Sequence, residues 1–161
     1  MDTLSPEQRR RTMAAVKGRN TTPELIVRRL LHKAGFRFRL YRNDLPGKPD
    51  VALSKYRTVI FVHGCFWHQH PGCKKASKPS TRQDYWLPKL ARNIERDKRQ
   101  ISDLDALGWS VLVVWECETK DKAALSEKLV RILSQQAREI GQRIEDRPRF
   151  IGASNGQSDT L

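Results

Sequence analysis

The chain has 161 residues, and its 31 Lys and Arg outnumber its 18 Asp and Glu, so the formal net charge is +13 at pH 7. This length predicts one domain with a core of its own. The charge favours a polyanionic partner, above all nucleic acid, over a merely solvated basic surface. No apolar run approaches the length of a membrane span and no signal-peptide region is visible, so we expect no membrane association.

The N-terminal part of the chain predicts two helices. In SPEQRRRTMAAVKGR, Ser5 is the N-cap and Pro6 the first helical residue, but the apolar stripe is too thin for a core helix. In TTPELIVRRLLHKAG, Thr22 caps the helix, Pro23 opens it and Gly35 closes it. The apolar stripe expected to bury this second helix consists of Leu25, Ile26 and Leu30.

Strand signals follow these helices. FRFRLY alternates apolar and basic residues, which predicts a half-buried strand. The other predicted elements are strands DVAL (50–53), RTVIFVHG (57–64) and WSVLVVWE (109–116) and helices over 82–107 and 122–140. This order predicts an antiparallel meander over 36–63 and a helical crossover to the last strand, hence an α/β fold with helices on a mixed sheet. We assign residues 1–150 to a single domain and expect a disordered tail over 151–161.

The stretch HGCFWHQHPGC, residues 63–73, holds three of the four histidines and two of the three cysteines. Cys65, His70 and Cys73 lie on a loop that leaves one predicted buried strand, and Cys117 follows another. If the strands are neighbours, these four side chains converge, and a Cys₃His set suits a closed, structural zinc site. The alternative is buried, inert cysteines and a surface histidine. Three cysteines cannot all pair within one chain, which favours a reducing compartment over a disulfide framework.

The remaining polar residues near this stretch suggest acid–base and metal chemistry. His63 and His68 could act as general base or acid near neutral pH, or they could be zinc ligands or surface residues. Asp50 begins a strand after the turn LPGKP, and a hairpin would bring it beside Val62 and His63. There it could hold Mg²⁺, although an Asp before a strand often serves only local hydrogen bonding.

Five motifs occur in a fixed order: LPGKPD, VIFVHGCFWHQH, TRQDYW, NIERDKR and LGWSVLVVWEC. Together they resemble the very-short-patch repair endonucleases of bacteria, which nick DNA at T:G mismatches. The similarity covers roughly residues 10–117. The family's fold is similar to that of the restriction endonucleases, so the resemblance implies a restriction-endonuclease-like mixed sheet flanked by helices, with a structural zinc site.

The resemblance also implies residue roles. Asp50 matches the metal-binding aspartate, and the main-chain carbonyl of Val62 a further metal contact. His68 matches the histidine that activates water, His63 a second active-site histidine, and Glu24 a glutamate that reaches the metal through water. The implied zinc ligands are Cys65, His70, Cys73 and Cys117. The implied DNA-contacting residues are Met13, Phe66, Trp67 and Trp86, of which the aromatic residues wedge into the duplex beside the mismatch. We also expect DNA contacts from Lys89, Arg92 and Asn93.

Two departures from related patterns are visible. Phe61 and His63 stand where the broad superfamily has a carboxylate and a lysine, which implies more imidazole chemistry. The gap from His70 to Cys73 is one residue longer than in the best-known members, and Gly72 can absorb the extra residue.

The sequence therefore predicts a Mg²⁺-dependent, strand-nicking DNA endonuclease that acts at T:G mismatches and starts the repair of deaminated 5-methylcytosine. It would use one or two Mg²⁺ ions and a structural Zn²⁺. The alternatives are a sequence- or structure-specific nickase without mismatch preference and a non-catalytic, zinc-stabilised nucleic-acid binder. We expect a cytoplasmic monomer that binds double-stranded DNA, with a mismatch-repair protein as a further candidate partner.

Overall fold

The computed structural model describes residues 5–14 and 18–146, apart from the side chain of Arg9. The predicted disordered tail over 151–161 lies outside the described residues. The helices are α1 (Pro6–Ala14), α2 (Thr22–Lys33), α3 (Gln83–Ala106) and α4 (Lys122–Glu145). The strands are β1 (Val51–Leu53), β2 (Thr58–His63) and β3 (Ser110–Trp115).

The three strands form one mixed sheet in the order β1-β2-β3. β1 and β2 are antiparallel, with Val51 opposite Ile60, and a turn over 54–57 joins them. β2 and β3 are parallel, with His63 opposite Trp115, and α3 makes the crossover between them. The mixed α/β sheet with flanking helices is therefore confirmed. The two parallel strands end at the same edge of the sheet, so the chain segment after His63 lies near the segment after Trp115.

Both faces of the sheet are buried. On one face Ile60 joins a core cluster with residues of α2 and α4, such as Leu31 and Leu129. On the other face Val59 and Phe61 join a second cluster that includes Leu104 of α3. Burial on both faces explains why β2 is a nearly continuous apolar run rather than an alternating one.

The predicted strand FRFRLY is wrong. Residues 36–41 form only an isolated antiparallel bridge between Arg39 and Ala52. The alternation has another cause, because Phe36, Phe38 and Leu40 pack against the core cluster without a ladder of hydrogen bonds. Tyr41 then has φ 57°, a left-handed conformation that ends extended structure.

Two details of α2 also differ from prediction. The cap is Thr21 instead of Thr22, because the Thr21 side chain accepts a hydrogen bond from the Glu24 backbone N–H at 3.4 Å. The helix is rotated relative to the predicted stripe: the residues that it buries are Glu24, Val27 and Leu31. A carboxylate on the inner face of a helix needs polar partners, so hydrogen-bond donors are expected around Glu24.

The first helix matches its weak apolar pattern. Of the α1 side chains that the structure describes, all are exposed, including Met13 at 40%. Within the described ranges, no helix is long and apolar enough to cross a membrane.

Candidate active site and metal centre

A cleft of about 640 Å³ lies where the start of α2, the ends of β1 and β2 and the middle of α3 meet. It is lined by, among others, Glu24, Asp50, Val62, His63, His68 and Asp97. Five of these six were predicted as site residues from the sequence. The structure brings them together although they are scattered from residue 24 to residue 97 of the chain.

Asp50 is fixed by the hairpin register. It precedes β1, and one of its carboxylate oxygens accepts a hydrogen bond from the Val62 N–H at 2.7 Å. Burial raises the pKa of Asp50 to about 6, the Val62 N–H opposes that rise, and the negative charge of Glu24 adds to it. A raised carboxyl pKa means that the ionised form is under-compensated by its protein neighbours. A cation at this position would supply the missing charge.

His63 and His68 form a stacked pair. Their ring centroids are 3.8 Å apart and their planes differ by 5°. His63, at the end of β2, is 7% exposed, and burial together with the charge of His68 lowers its pKa to about 4. His63 is therefore a neutral imidazole near pH 7, and one face of its ring stacks on the His68 ring.

His68 has a carboxylate partner on α3. Its Nδ1 lies 2.7 Å from an Asp97 carboxylate oxygen. An ionised carboxylate can only accept, so this contact puts the proton on Nδ1 and leaves Nε2 as the free acceptor of the neutral ring. Asp97 was not singled out from the sequence, even though it lies inside the motif NIERDKR.

The atoms of His63, His68 and Asp97 are close enough to be considered as ligands of one ion. The ring geometry argues against this. Imidazoles bind metals through lone pairs in the ring plane, and two nearly parallel planes 3.8 Å apart do not converge on one point. The Asp97 contact also occupies Nδ1 of His68. The arrangement suits an oriented base beside a metal better than a metal ligand set.

The loop that follows β2, residues 64–73, is here called the site loop. It is folded on itself by backbone hydrogen bonds, such as that from His70 N–H to the Cys65 carbonyl at 2.9 Å. Asn93 of α3 donates its side-chain amide to the carbonyl of Trp67 at 3.0 Å. Since Asp97 contacts His68, α3 holds the site loop at two positions one helical turn apart.

Four predicted ligands converge at the base of the site loop, and they are Cys65, His70, Cys73 and Cys117. Their ligand atoms all lie within 4.8 Å of one another. The Nδ1 atom of His70 is 3.7 Å from the sulfur of Cys65 and 3.4 Å from that of Cys117. Gly72, with φ +72°, turns the chain between His70 and Cys73, so the longer gap is accommodated by a glycine.

The environment of the four ligands favours a bound cation. Cys65 is fully buried, and burial raises the pKa of its thiol to about 11. The His70 ring stacks on Trp115 with centroids 4.2 Å apart, which fixes its orientation. Burial disfavours the thiolate of Cys65, and a bound metal would supply positive charge that favours it.

The predicted DNA-contacting aromatic residues form one cluster. Phe66 and Trp67 of the site loop lie 5.1 Å apart, and Trp86 of α3 is 5.5 Å from Phe66 and 6.0 Å from Trp67. All three are half-buried. The Lys89 ammonium is 5.6 Å from the Trp67 ring, so the cluster combines apolar faces with positive charge.

Two further predicted contacts continue this surface along α3. Arg92 is exposed and Asn93 is half-buried. Sequence reasoning missed Tyr85, which is 44% exposed and packs edge-on against Trp86 at 5.2 Å. Its only signal was its place in the motif TRQDYW. The surface therefore has the composition of a nucleic-acid interface.

Comparison with known proteins identifies the family. A family model described as DNA mismatch endonuclease Vsr matches residues 1–75. The chain is 53% identical to the type II nicking enzyme V.XorIIP of Xanthomonas oryzae over 132 residues, which are 82% of this chain and 96% of that protein. It is 42% identical to the type II nicking enzyme V.NmeAIP of Neisseria meningitidis over 83% of this chain and 95% of that protein.

A third relative is named as a mismatch endonuclease. The chain is 44% identical to the DNA mismatch endonuclease Vsr of Escherichia coli over 120 residues, which are 74% of this chain and 76% of that protein. Identity of this extent along most of each chain is far above what a shared fold alone produces. The chain belongs to the Vsr family of DNA mismatch endonucleases.

Proposed function

We propose that this protein nicks one strand of duplex DNA beside a T:G mismatch and so initiates very-short-patch repair of deaminated 5-methylcytosine. DNA nicking follows from the family, and the T:G preference is supported by the similarity to the mismatch endonuclease of Escherichia coli. One structural observation carries the proposal. The site loop holds the aromatic pair Phe66-Trp67 and His68 within three consecutive residues, between metal-ligand positions.

We propose that Mg²⁺ is held by Asp50, the main-chain carbonyl of Val62 and, through water, Glu24. The fit rests on geometry, because Asp50, Glu24 and Val62 line the same cleft. Burial raises the pKa of Asp50 to about 6, and a bound cation would favour its ionised form. When bound, the ion supplies positive charge that offsets the charge of the phosphate undergoing hydrolysis.

The proposed base is His68. Asp97 keeps the proton on Nδ1, so Nε2 can take a proton from the attacking water, and the resulting imidazolium is stabilised by the same carboxylate. His63 stays neutral and stacks on the His68 ring. It therefore holds the plane of the His68 ring without placing a second positive charge beside the imidazolium.

We propose zinc as the occupant of the four-ligand site. Zinc lies about 2.3 Å from thiolate sulfur and about 2.1 Å from imidazole nitrogen, so a tetrahedral angle separates the two ligand atoms by about 3.6 Å. The Cys65–His70 and Cys117–His70 separations of 3.7 and 3.4 Å bracket this value. Four protein ligands leave no open position, so the site is structural.

The aromatic cluster is the proposed mismatch reader. Inserting an apolar side chain between base steps costs a few kcal/mol per step, and unpairing costs least at a mismatch. Phe66, Trp67 and Trp86 pack on one another, and the Lys89 ammonium lies over the Trp67 ring. A preformed wedge therefore favours the site where the duplex is already weak.

A second candidate function is nicking without mismatch preference, because two of the relatives are named type II nicking enzymes. End-labelled duplexes that are identical except for one T:G, T:A or C:G pair distinguish the two candidates. With Mg²⁺, we expect a nick in the T strand of the T:G duplex and at least about tenfold slower cutting of the matched ones. Equal rates on all three duplexes would establish the second candidate instead.

We expect Trp67→Ala to reduce discrimination more than general affinity. Matched-duplex affinity should stay within about threefold and keep its steep salt dependence, because it comes from Lys and Arg on phosphates. Affinity for the T:G duplex should fall toward the matched value. Salt-controlled titrations of both duplexes measure this. If both affinities fall by the same factor, Trp67 is a packing residue.

Asp50→Asn should abolish nicking while metal-free DNA binding is retained, since the amide cannot supply the metal-binding charge.

The folded-state pKa of Asp50 is raised, so folding favours its protonated form, and stability from this group falls as the pH rises from about 4 to about 6. The neutral amide avoids that loss. Without added Mg²⁺, the variant should be more stable than wild type by about 2 kcal/mol at pH 7.5.

Denaturant unfolding between pH 4 and pH 8 tests this expectation, and the stability gap should shrink as the pH falls toward 4. Asp103→Asn, at an exposed position of α3, is the matched control and should change neither stability nor nicking. Near-wild-type nicking by Asp50→Asn would remove Asp50 from the site.

His68→Ala should slow single-turnover nicking by about a hundredfold, the range for loss of a general base. Asp97→Asn should slow it by about tenfold, because an amide can donate to Nδ1 and so favours the wrong tautomer. The exposed His32 of α2 provides the control variant His32→Ala, which should nick at the wild-type rate. A loss of less than about threefold in His68→Ala would assign the base elsewhere.

Cys117→Ser should destabilise the whole fold, because the zinc site joins the chain after β2 to the chain after β3. Wild type purified without chelator should contain about one zinc per chain, and the variant much less. The free energy of unfolding should fall by at least about 3 kcal/mol. Zinc-free wild-type protein of full stability would contradict the site.

A further inference from the structure

Glu24 is held by an unusually complete set of donors. One of its carboxylate oxygens accepts from the Thr21 hydroxyl at 3.1 Å. The other accepts from the Asn20 N–H at 3.0 Å and from the Arg28 guanidinium at 3.2 Å. The side chains of Arg28 and Glu24 are only 13% and 8% exposed. Both oxygens of this buried carboxylate are therefore hydrogen-bonded in a defined orientation.

Arg28 is itself locked in place. One arm of its guanidinium donates to Glu24, and the other donates to the Asn20 side-chain oxygen at 2.8 Å. The same Asn20 oxygen accepts from the Tyr41 hydroxyl at 2.9 Å. The Arg28 Nε is buried without a hydrogen-bond partner among the described residues. The two terminal nitrogens of the guanidinium are therefore bonded while its third nitrogen is left unsatisfied.

Backbone strain marks the same place. Asn20, Tyr41 and Lys48 all have positive φ, at 54°, 57° and 47°. Asparagine tolerates this region, but tyrosine and lysine adopt it rarely. Tyr41 and Lys48 also border a cavity of about 180 Å³ together with Glu24, Arg28 and Asp50. Asn20 and Tyr41 belong to the hydrogen-bonded network and Lys48 only lines the adjoining cavity, so the network includes two left-handed backbone positions.

We propose that Arg28 is a positioning residue for nicking: braced by Asn20 and Tyr41, it fixes the Glu24 carboxylate at the cleft. The inference rests on the proposed function, since it assumes that Glu24 takes part in the reaction. Arg28 lies four residues after Glu24, so one turn of α2 delivers both groups. A guanidinium is suited to the task because its planar fork binds two acceptors at once, which the lysine point charge does not reproduce.

The test is a double-mutant cycle on single-turnover nicking of the T:G duplex. Arg28→Met should lower the maximal rate by about tenfold, with DNA half-saturation within about twofold, because a displaced carboxylate affects the reaction and not the binding of DNA. Arg28→Lys should fall between wild type and Arg28→Met. Arg29→Met removes the same charge at the exposed neighbouring position and should nick like wild type.

The same Arg28→Met change should have little further effect, within about twofold, in a Glu24→Gln background. Equal losses in both backgrounds would overturn the proposal. If Arg28→Met does not fold, as judged by thermal unfolding, Arg28→Lys takes its place in the cycle. A wild type that fails to nick the T:G duplex refutes the proposed function, whereas a nicking wild type with a fully active Arg28→Met refutes this inference alone.

A readout independent of metal and DNA is amide hydrogen exchange at Asn20, whose N–H donates to Glu24. Loosening of the carboxylate should speed this exchange by at least about threefold in Arg28→Met and leave it unchanged in Arg29→Met. Unchanged exchange in Arg28→Met would show that Glu24 keeps its place without Arg28, which contradicts the proposal.

Discussion

The convergence of Cys65, His70, Cys73 and Cys117 is the constraint on which the rest of the site depends. It is possible only because β2 and β3 are parallel neighbours, so that the chain leaving His63 meets the chain leaving Trp115. Three of the four ligands belong to the site loop. A metal bound there would fix both ends of this loop, which carries the proposed wedge and the proposed base.

The strand β2 then links this four-residue cluster to the proposed catalytic cleft. Its Val62 N–H holds Asp50, its last residue is His63, and its continuation is the site loop. The cleft gathers the carboxylates of Glu24, Asp50 and Asp97 in a chain whose net charge is +13. Glu24 accepts from a guanidinium, a hydroxyl and a backbone N–H, Asp50 from a backbone N–H, and Asp97 contacts an imidazole. The basic exterior attracts DNA, and the acidic interior of the cleft is suited to a divalent cation.

Much of the site could be predicted because its chemistry is local in sequence. Asp50 after a turn, two histidines around a strand end and a cysteine-rich loop are visible in short motifs, and the structure brings them to one cleft and one cluster. Asp97 and Arg28 were missed because their roles depend on tertiary contacts: a charged residue on an amphipathic helix normally faces solvent. For Arg28 the spacing of four from Glu24 was the available signal. The strand predicted over 36–41 failed for a related reason, since alternating burial arises from packing as readily as from a ladder.

The central claim is that mismatch recognition and strand cleavage both depend on a site loop that bound zinc holds in place. The most direct measurement compares preparations that contain graded amounts of zinc, with zinc counted by elemental analysis and Mg²⁺ held in excess. The amplitude of single-turnover nicking and the amplitude of preferential T:G binding should both equal the zinc-containing fraction. Full nicking, or full T:G preference, in protein that lacks zinc would contradict the account.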